Sequence, residues 1–410
     1  MSQVLLINVS GDDRPGITVA LTEVLAQYDV TILDIGQAVI HDQLAWGMLV
    51  RLHGMANDGP LYRDVLLRAH DLGLSVRFTP VSNGQYARWA GGHGRPRHVV
   101  TLLSRELSAA HLEAAARLIA GHGLNIDRIE RLSGRSALER SSEERRAAIE
   151  LTVRGNVDEP RAMRASLLRI GQELEVDIAI QADDIYRRNR RLVCFDMDST
   201  LIPVEIIDEI ARLAGVGEQV AAITARAMAG ELDFATSFRA RVRLLRGVRQ
   251  SSLDALARRV ALTEGAERLI GILKALGYRI AILSGGFTWF AEHLKQQLDI
   301  DYVYANELVI DNGTVTGEVA GTVVDGERKA ALLRELADRE GISLAQTIAV
   351  GDGANDLPML SAAGLGVAFH AKPLVRERAS HAIGTLGLDG LLYLLGVRDH
   401  ELVSIVRQPL

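Results

Sequence analysis

The residues Leu192-Val193-Cys194-Phe195 form a short apolar run that stops abruptly at Asp196-Met197-Asp198-Ser199-Thr200. An apolar run of this length reads as a buried strand. Side chains alternate along a strand, so Asp196 and Asp198 can point the same way from its C-terminal edge. In an open α/β sheet that edge is where ligands bind. Two carboxylates there repel each other unless a cation sits between them. A hard divalent ion such as Mg²⁺ accepts carboxylate and carbonyl oxygens. One aspartate can then attack a phosphorus atom, and the other can protonate the leaving oxygen and deprotonate an incoming water.

Three further strings fit the same architecture. Gly277 to Leu283 is a second buried strand, and it ends in Ser284-Gly285-Gly286-Phe287, a hydroxyl and free amides able to cradle a phosphate. Lys329 opens a helix running to Glu340. Thr347 to Val350 is a third buried strand, followed by Gly351-Asp352-Gly353-Ala354-Asn355-Asp356. In a helix-like turn Asp352 and Asp356 share a face. Asp311-Asn312-Gly313 lies between strand-like runs and signals a hairpin. Pro203 to Val260 is nearly all helical pattern, which places a helical cap after the first strand of a doubly wound domain. In the cap, Glu205 reads on its own as a first-turn glutamate and Arg241 as part of a solvated, arginine-rich helix face.

The first 180 residues carry another pattern. Val4 to Val9, a helix to about Tyr28, Ile32 to Ile40, Ala45 to Leu52, a helix over Gly59–Leu72 and Val76 to Thr79 give βαββαβ, a ferredoxin-like order. It recurs after about 95 residues, from His98 to Gln181, so the region is a tandem duplication. The Gly- and Arg-rich stretch Ser82–Arg97 reads as a linker and Ser133–Arg146 as an exposed loop. Pro15 suits a first helical turn, and Asp12 or Asp13 can cap it.

The four C-terminal strings, in that order, resemble the motifs of the haloacid dehalogenase superfamily, over roughly Arg191 to Val397. Asp13-Arg14-Pro15-Gly16 resembles the hallmark of an ACT domain; the second copy has the element order but Ser104-Arg105-Glu106-Leu107-Ser108 at that turn. The resemblance implies an α/β fold, a Rossmann-like core with a helical cap behind two ferredoxin-like ACT domains. The expected layout is residues 1–81 and 97–181 for the ACT-like domains, 182–190 for a linker and 191–410 for the phosphatase domain with its cap at about 203–260.

It also implies roles. Asp196 is the expected nucleophile and Mg²⁺ ligand, and Asp198 the general acid/base with its backbone carbonyl on the metal. Asp352 is the expected third ligand and Asp356 its orienting neighbour. Ser284, the Gly285 amide and Lys329 are expected to hold the phosphoryl oxygens, and Asn355 to contact substrate or phosphate. Glu205 and Arg241 would answer the ammonium and carboxylate of a small zwitterionic ester, phosphoserine. The long duplicated N-terminus resembles the form of these enzymes found in actinobacteria. ACT domains usually pair across chains and bind a small amino acid, so an effector such as serine near Asp13 and Gly16, and a homodimer, are expected.

Composition closes off other classes. Apolar content of 48% supports sizeable cores. A net charge of -6 argues against nucleic-acid binding. No apolar run reaches the ~18 residues of a membrane span. No signal-peptide pattern opens the chain and Cys194 stands alone, so a cytoplasmic protein without internal disulfides is expected. Two alternatives stay open from sequence: a superfamily phosphatase or phosphotransferase for another metabolite, which needs no Glu205 and Arg241 pair, and a non-catalytic amino-acid sensor.

Overall fold

A computed structural model describes residues 3–53, 59–91, 94–135 and 145–406. The chain divides into two compact units, Met1–Arg95 and Pro96–Leu410.

The first unit runs β1 (Gln3–Asp12), α1 (Ile17–Leu25), β2 (Val30–Ile40), β3 (Gln43–Leu52), α2 (Gly59–Asp71), β4 (Ser75–Val81) and α3 (Asn83–Gly91). Its antiparallel sheet has the order β2-β3-β1-β4. Leu5, Ile7, Val9, Trp46 and Met48 alternate onto one face and bury against Ile17, Leu21, Leu61 and Val65 of α1 and α2. On the opposite face Asn8, Ser10, Ala45, Ser75 and Arg77 are exposed, while Val4 at the start of β1 is buried. The expected linker over 82–97 instead carries α3. Its start is a capping box: Gln85 N–H donates to Ser82 Oγ at 3.2 Å, and Ser82 N–H to Gln85 Oε1 at 2.9 Å. Residues 92–93 of that stretch lie outside the described residues.

The second unit begins with the repeat: β5 (Arg97–Ser104), α4 (Ala109–Gly121), β6 (Asn125–Arg131), β7 (Ala147–Arg154), α5 (Pro160–Leu174) and β8 (Asp177–Ala182), with sheet order β6-β7-β5-β8. Here both sheet faces are buried. Val100, Leu102, Leu151 and Ile178 pack under α4 and α5. Leu103, Ala148 and Ala179 enter the core of the C-terminal half. Of the loop expected over 133–146, residues 136–144 lie outside the described residues. Its ends are not free: Ser133 is buried, and Arg146 pairs at 3.0 Å with the buried Asp389.

The C-terminal half follows as β9 (Leu192–Phe195), α6 (Ile206–Ala214), α7 (Gly217–Met228), α8 (Phe234–Leu244), α9 (Gln250–Ala257), α10 (Ala266–Ala275), β10 (Arg279–Phe287), α11 (Thr288–Leu298), β11 (Tyr302–Asp311), β12 (Thr314–Ala320), α12 (Gly326–Arg339), β13 (Thr347–Gly351), α13 (Leu357–Ala362), β14 (Leu365–Phe369), α14 (Pro373–Arg378), β15 (His381–Ile383), α15 (Leu391–Leu394) and α16 (Asp399–Val406). Seven strands form one sheet in the order β12-β11-β10-β9-β13-β14-β15. All neighbouring pairs are parallel except β11 with β12, which the Asn312-Gly313 turn joins with both residues at positive φ. Strand β9 is central and wholly buried, as an uninterrupted apolar strand in a two-sided sheet must be. No helix among the described residues is long and apolar enough to cross a membrane.

Candidate active site

Register brings three strand ends together. Phe195 of β9 lies opposite Ile282 of β10 on one side and Val350 of β13 on the other. Asp196 is the next residue, and Ser284 and Asp352 each stand two residues beyond their strand partner. The site is therefore built at the carboxyl edge of the sheet by parallel pairing alone.

Asp196 is 5% exposed, and its N–H donates to Val350 O at 2.9 Å. One of its carboxylate oxygens accepts from Met197 N–H at 2.7 Å. Lys329 reaches the same oxygen at 2.9 Å and Asp356 Oδ1 at 2.7 Å, with no exposure of its own. It lies in the first turn of α12, whose N-cap Asp325 accepts from Arg328 N–H at 2.9 Å. Asp356 closes a 3-10 turn and accepts from Gly353 N–H at 2.9 Å. Thr200, fully buried, donates to Asp352 Oδ1 at 3.2 Å.

Carboxylate oxygens of Asp196, Asp352 and Asp356 all lie within 4.8 Å of one another. The Asp198 carboxylate is not one of this trio. It accepts from Ile206 N–H at 3.4 Å at the start of α6, which leaves its expected contribution to a metal as the backbone carbonyl. Asp356, expected as an orienting neighbour, stands inside the trio while also pairing with Lys329.

The electrostatics follow from burial. Burial first, then the charge of Asp356, pushes the Asp196 carboxyl up despite Lys329. Burial, with Asp356 and Glu205, pushes Asp352 up to about 7. Asp198 is raised by burial, Glu205 and Asp196. Burial alone would lower Lys329, but Asp196 and Asp356 outweigh it and hold the ammonium charged. One lysine faces several crowded carboxylates, a deficit of positive charge. An all-oxygen donor set in that condition fits a hard divalent cation.

The remaining sequence candidates flank this centre. Ser284 is fully buried, and its Oγ accepts from Gly286 N–H at 2.9 Å. A side chain at Gly286 would press on Asp198, its Cβ 2.6 Å from Oδ2, so only glycine lets the turn pass that close. Asn355 is half-buried in the turn between Asp352 and Asp356. Glu205 is exposed at the N-cap of α6 and accepts from Ser199 Oγ at 2.8 Å. Arg241 of α8 is half-buried rather than solvated, and its Nε has no hydrogen-bond partner among the described residues. Burial lowers its pKa, while the charges of Asp208, Glu205 and Asp198 oppose that. Asp13 and Gly16 belong to the first unit, on an exposed turn; Gly16 has φ +94°, and the neighbouring Arg14 donates to Leu72 O.

Sequence reading missed three residues here. Thr200, next to the Asp-x-Asp pair in sequence, has its role only through the fold, as the donor to Asp352. Phe234 opens α8 with its ring on the Ser284–Gly286 turn: a Cβ on Gly285 would meet Phe234 Cζ at 2.9 Å. Its signal was the Phe234 and Phe238 pair one helical turn apart, stacked at 5.9 Å. Asn306 is an amide buried in β11, and with Glu307 directly after it nothing in the sequence marked it.

A family model described as haloacid dehalogenase-like hydrolase matches residues 193–361, and two ACT-domain models match residues 3–79 and 96–181. The chain is 43% identical over 397 residues to a phosphoserine phosphatase of Streptomyces coelicolor, covering 97% of this chain and 93% of that protein. It is 40% identical over 399 residues to one of Mycobacterium tuberculosis, covering 97% and 94%. Among solved structures, a probable phosphoserine phosphatase of Vibrio cholerae in unliganded form superposes with a TM-score of 0.58 at 35% identity, over 76% of this chain and 89% of that one. A haloacid dehalogenase-family hydrolase of Salmonella enterica does so at 0.63 and 31%, over 72% and 98%.

Proposed function

Because this chain belongs to the phosphoserine phosphatases, haloacid dehalogenase-like hydrolases with two N-terminal ACT domains, we propose that it hydrolyses O-phospho-L-serine to L-serine and phosphate through an aspartyl-phosphate, as the last step of serine biosynthesis. The observation that carries this is the position of Asp196: buried at the end of the central strand, 2.9 Å from Lys329 and within one cation's reach of Asp352.

The Asp196 carboxylate attacks phosphorus, and the seryl oxygen leaves with a proton from Asp198. Water then attacks the aspartyl-phosphate, giving its proton back to Asp198 and releasing phosphate. A raised Asp198 pKa suits a group that must hold a proton at the first step. Lys329, the Ser284 hydroxyl and the Gly285 amide take the phosphoryl oxygens. Asp196, Asp352 and the Asp198 carbonyl would hold Mg²⁺, which would supply charge neutralisation for that group. Asp356 holds Lys329 and the neighbouring turn, and Asn355 contacts substrate or phosphate. Glu205 meets the substrate ammonium and Arg241 its carboxylate; the unpartnered guanidinium nitrogen supports that assignment.

In the first unit we assign serine, or a related amino acid, to the turn with Asp13 and Gly16. We assign homodimer contact to the edge strand β2, where Ile32, Ile35, Val39 and Ile40 are exposed.

Phosphate release from phosphoserine, phosphothreonine and sugar phosphates, with Mg²⁺ and after chelation, tests the substrate and the metal together. Phosphoserine should be preferred and chelation should abolish release. Asp196→Asn should abolish turnover and the phosphoenzyme; near-normal turnover would refute the covalent route.

A further inference from the structure

We infer that Asn306 is a positioning residue for the reaction, a buried amide that fixes the spacing between the phosphate-cradling turn and the helix that carries Lys329. The inference rests on the phosphate-holding roles proposed above for Ser284, Gly285 and Lys329.

Strands β10 and β11 pair in register up to Leu283 and Tyr304, and pair again at Phe287 and Asn306. Four steps along β10 thus match two along β11, so two extra residues leave the ladder in the Ser284–Gly286 turn. Such an excursion strands backbone groups that the sheet would otherwise satisfy. Asn306 stands where pairing resumes and answers one of them: its Nδ2 donates to Gly285 O at 2.8 Å. Its Oδ1 accepts from Val324 N–H at 2.8 Å, just before the N-cap Asp325 of α12. One side chain, 2% exposed, therefore ties both segments.

The geometry gives the tie a mechanical consequence. The Gly285 carbonyl belongs to the peptide whose other end is the Gly286 N–H, which donates to Ser284 Oγ at 2.9 Å. Holding that carbonyl sets the plane of the peptide and with it the direction of the Ser284 hydroxyl. On the other side, Val324 and Asp325 set the start of α12, and Lys329 is one turn further. An amide suits the position because it offers one donor and one acceptor to two fixed backbone groups, one part-buried and one buried. A hydrocarbon leaves both unsatisfied, and a carboxylate turns its second oxygen against the Gly285 carbonyl. The hydrogen bonds of the Asn306 side chain go to the Gly285 carbonyl and the Val324 N–H, so it acts through Ser284, Gly285 and Lys329.

The test uses the full-length enzyme with Asn306→Asp and Asn306→Ala, with Ser284→Ala as the reference for the cradle itself. Thermal melting, kcat and KM for phosphoserine, and the inhibition constant of inorganic phosphate are measured for each. Both Asn306 variants are expected to fold but to melt below the wild type, since buried groups lose their partners, to lose about 10- to 100-fold in kcat at temperatures where they are fully folded, as misplacement of binding groups by about 1 Å does, and to bind inorganic phosphate more weakly. A folded variant with wild-type kcat and phosphate inhibition overturns the inference. Should the Asp variant fail to fold, the uncharged Ala variant decides by the same measurements. If neither folds, Asn306 is a structural residue and the inference also falls. An unimpaired Ser284→Ala would instead overturn the phosphate-cradle reading beneath it.

Discussion

The two βαββαβ copies share a strand order and differ in what covers the sheet face opposite their helices. In the first, that face carries Asn8, Ser10, Ala45, Ser75 and Arg77, all exposed. In the second, the corresponding face carries Thr101, Leu103, Ala148, Glu150, Asp177 and Ala179, all buried. Asp177 accepts from the N–H groups of Gly384 and Thr385 at 2.8 Å each and from the Thr385 hydroxyl at 2.7 Å. Gln181 donates to Leu394 O at 2.9 Å, and Glu150 pairs with the buried Arg187 at 2.6 Å. Even the turn that would hold a ligand is engaged: Arg105 makes a forked pair with Glu264 at 2.8 and 2.6 Å. Duplication supplied two equal scaffolds. One kept the polar surface of an independent domain, and the other became a wall of the catalytic half.

The largest test of that contrast is deletion. Removing residues 1–95 should leave a folded phosphatase with turnover close to the full chain's. Excising residues 97–181 should leave insoluble or inactive protein, because it bares the core that Leu103, Ala148 and Ala179 close. Active, soluble protein from the second deletion would break the comparison.

Single substitutions sharpen it. Glu150→Ala strands Arg187 as a buried, unpaired charge and should cost about 3–5 kcal/mol in denaturant unfolding. Arg77→Ala, on the open face of the first copy, should fall within about 0.5 kcal/mol. Equal costs would mean the two faces do the same job.

A smaller effect is acid sensitivity. His381 of β15 is buried against β8, with Nε2 3.1 Å from Ile180 O and Nδ1 3.3 Å from Gly366 O. Burial pulls its pKa down to about 4, outweighing the two carbonyl contacts, which raise it, while Arg164 and Arg190 add to the lowering. The unfolded chain therefore binds the proton first, so stability from this residue falls as pH drops through the window from about 6.5 to about 4. Between pH 7 and 5 the wild type should lose roughly 2 kcal/mol on this account, and His381→Gln should not. The same pH slope in both would remove the histidine from the interface's energetics.

The smallest effect is ligand binding. Calorimetric titration of the full chain with serine should give one site per chain, weakened by Asp13→Ala. Two sites per chain would restore the second copy as a sensor.

The local chemistry was legible from residue order. Apolar strands that end in Asp196, Ser284 and Asp352, and a Gly-rich turn before Asp356, announce themselves because strand periodicity and turn chemistry are properties of neighbours in the chain. The capping box at Ser82 and Gln85 is equally local, but the Gly- and Arg-rich composition around it masks the helix it starts.

What tertiary structure alone decided is whatever depends on partners far along the chain. The burial of Arg241, read from sequence as solvated, arises because α8 lies against the site. The tie made by Asn306 joins strands and loops some 20 residues apart in either direction. The unequal fates of the two copies were hidden for the same reason: sequence fixes which side chains share a face, but only long-range packing determines whether water or protein lies against it.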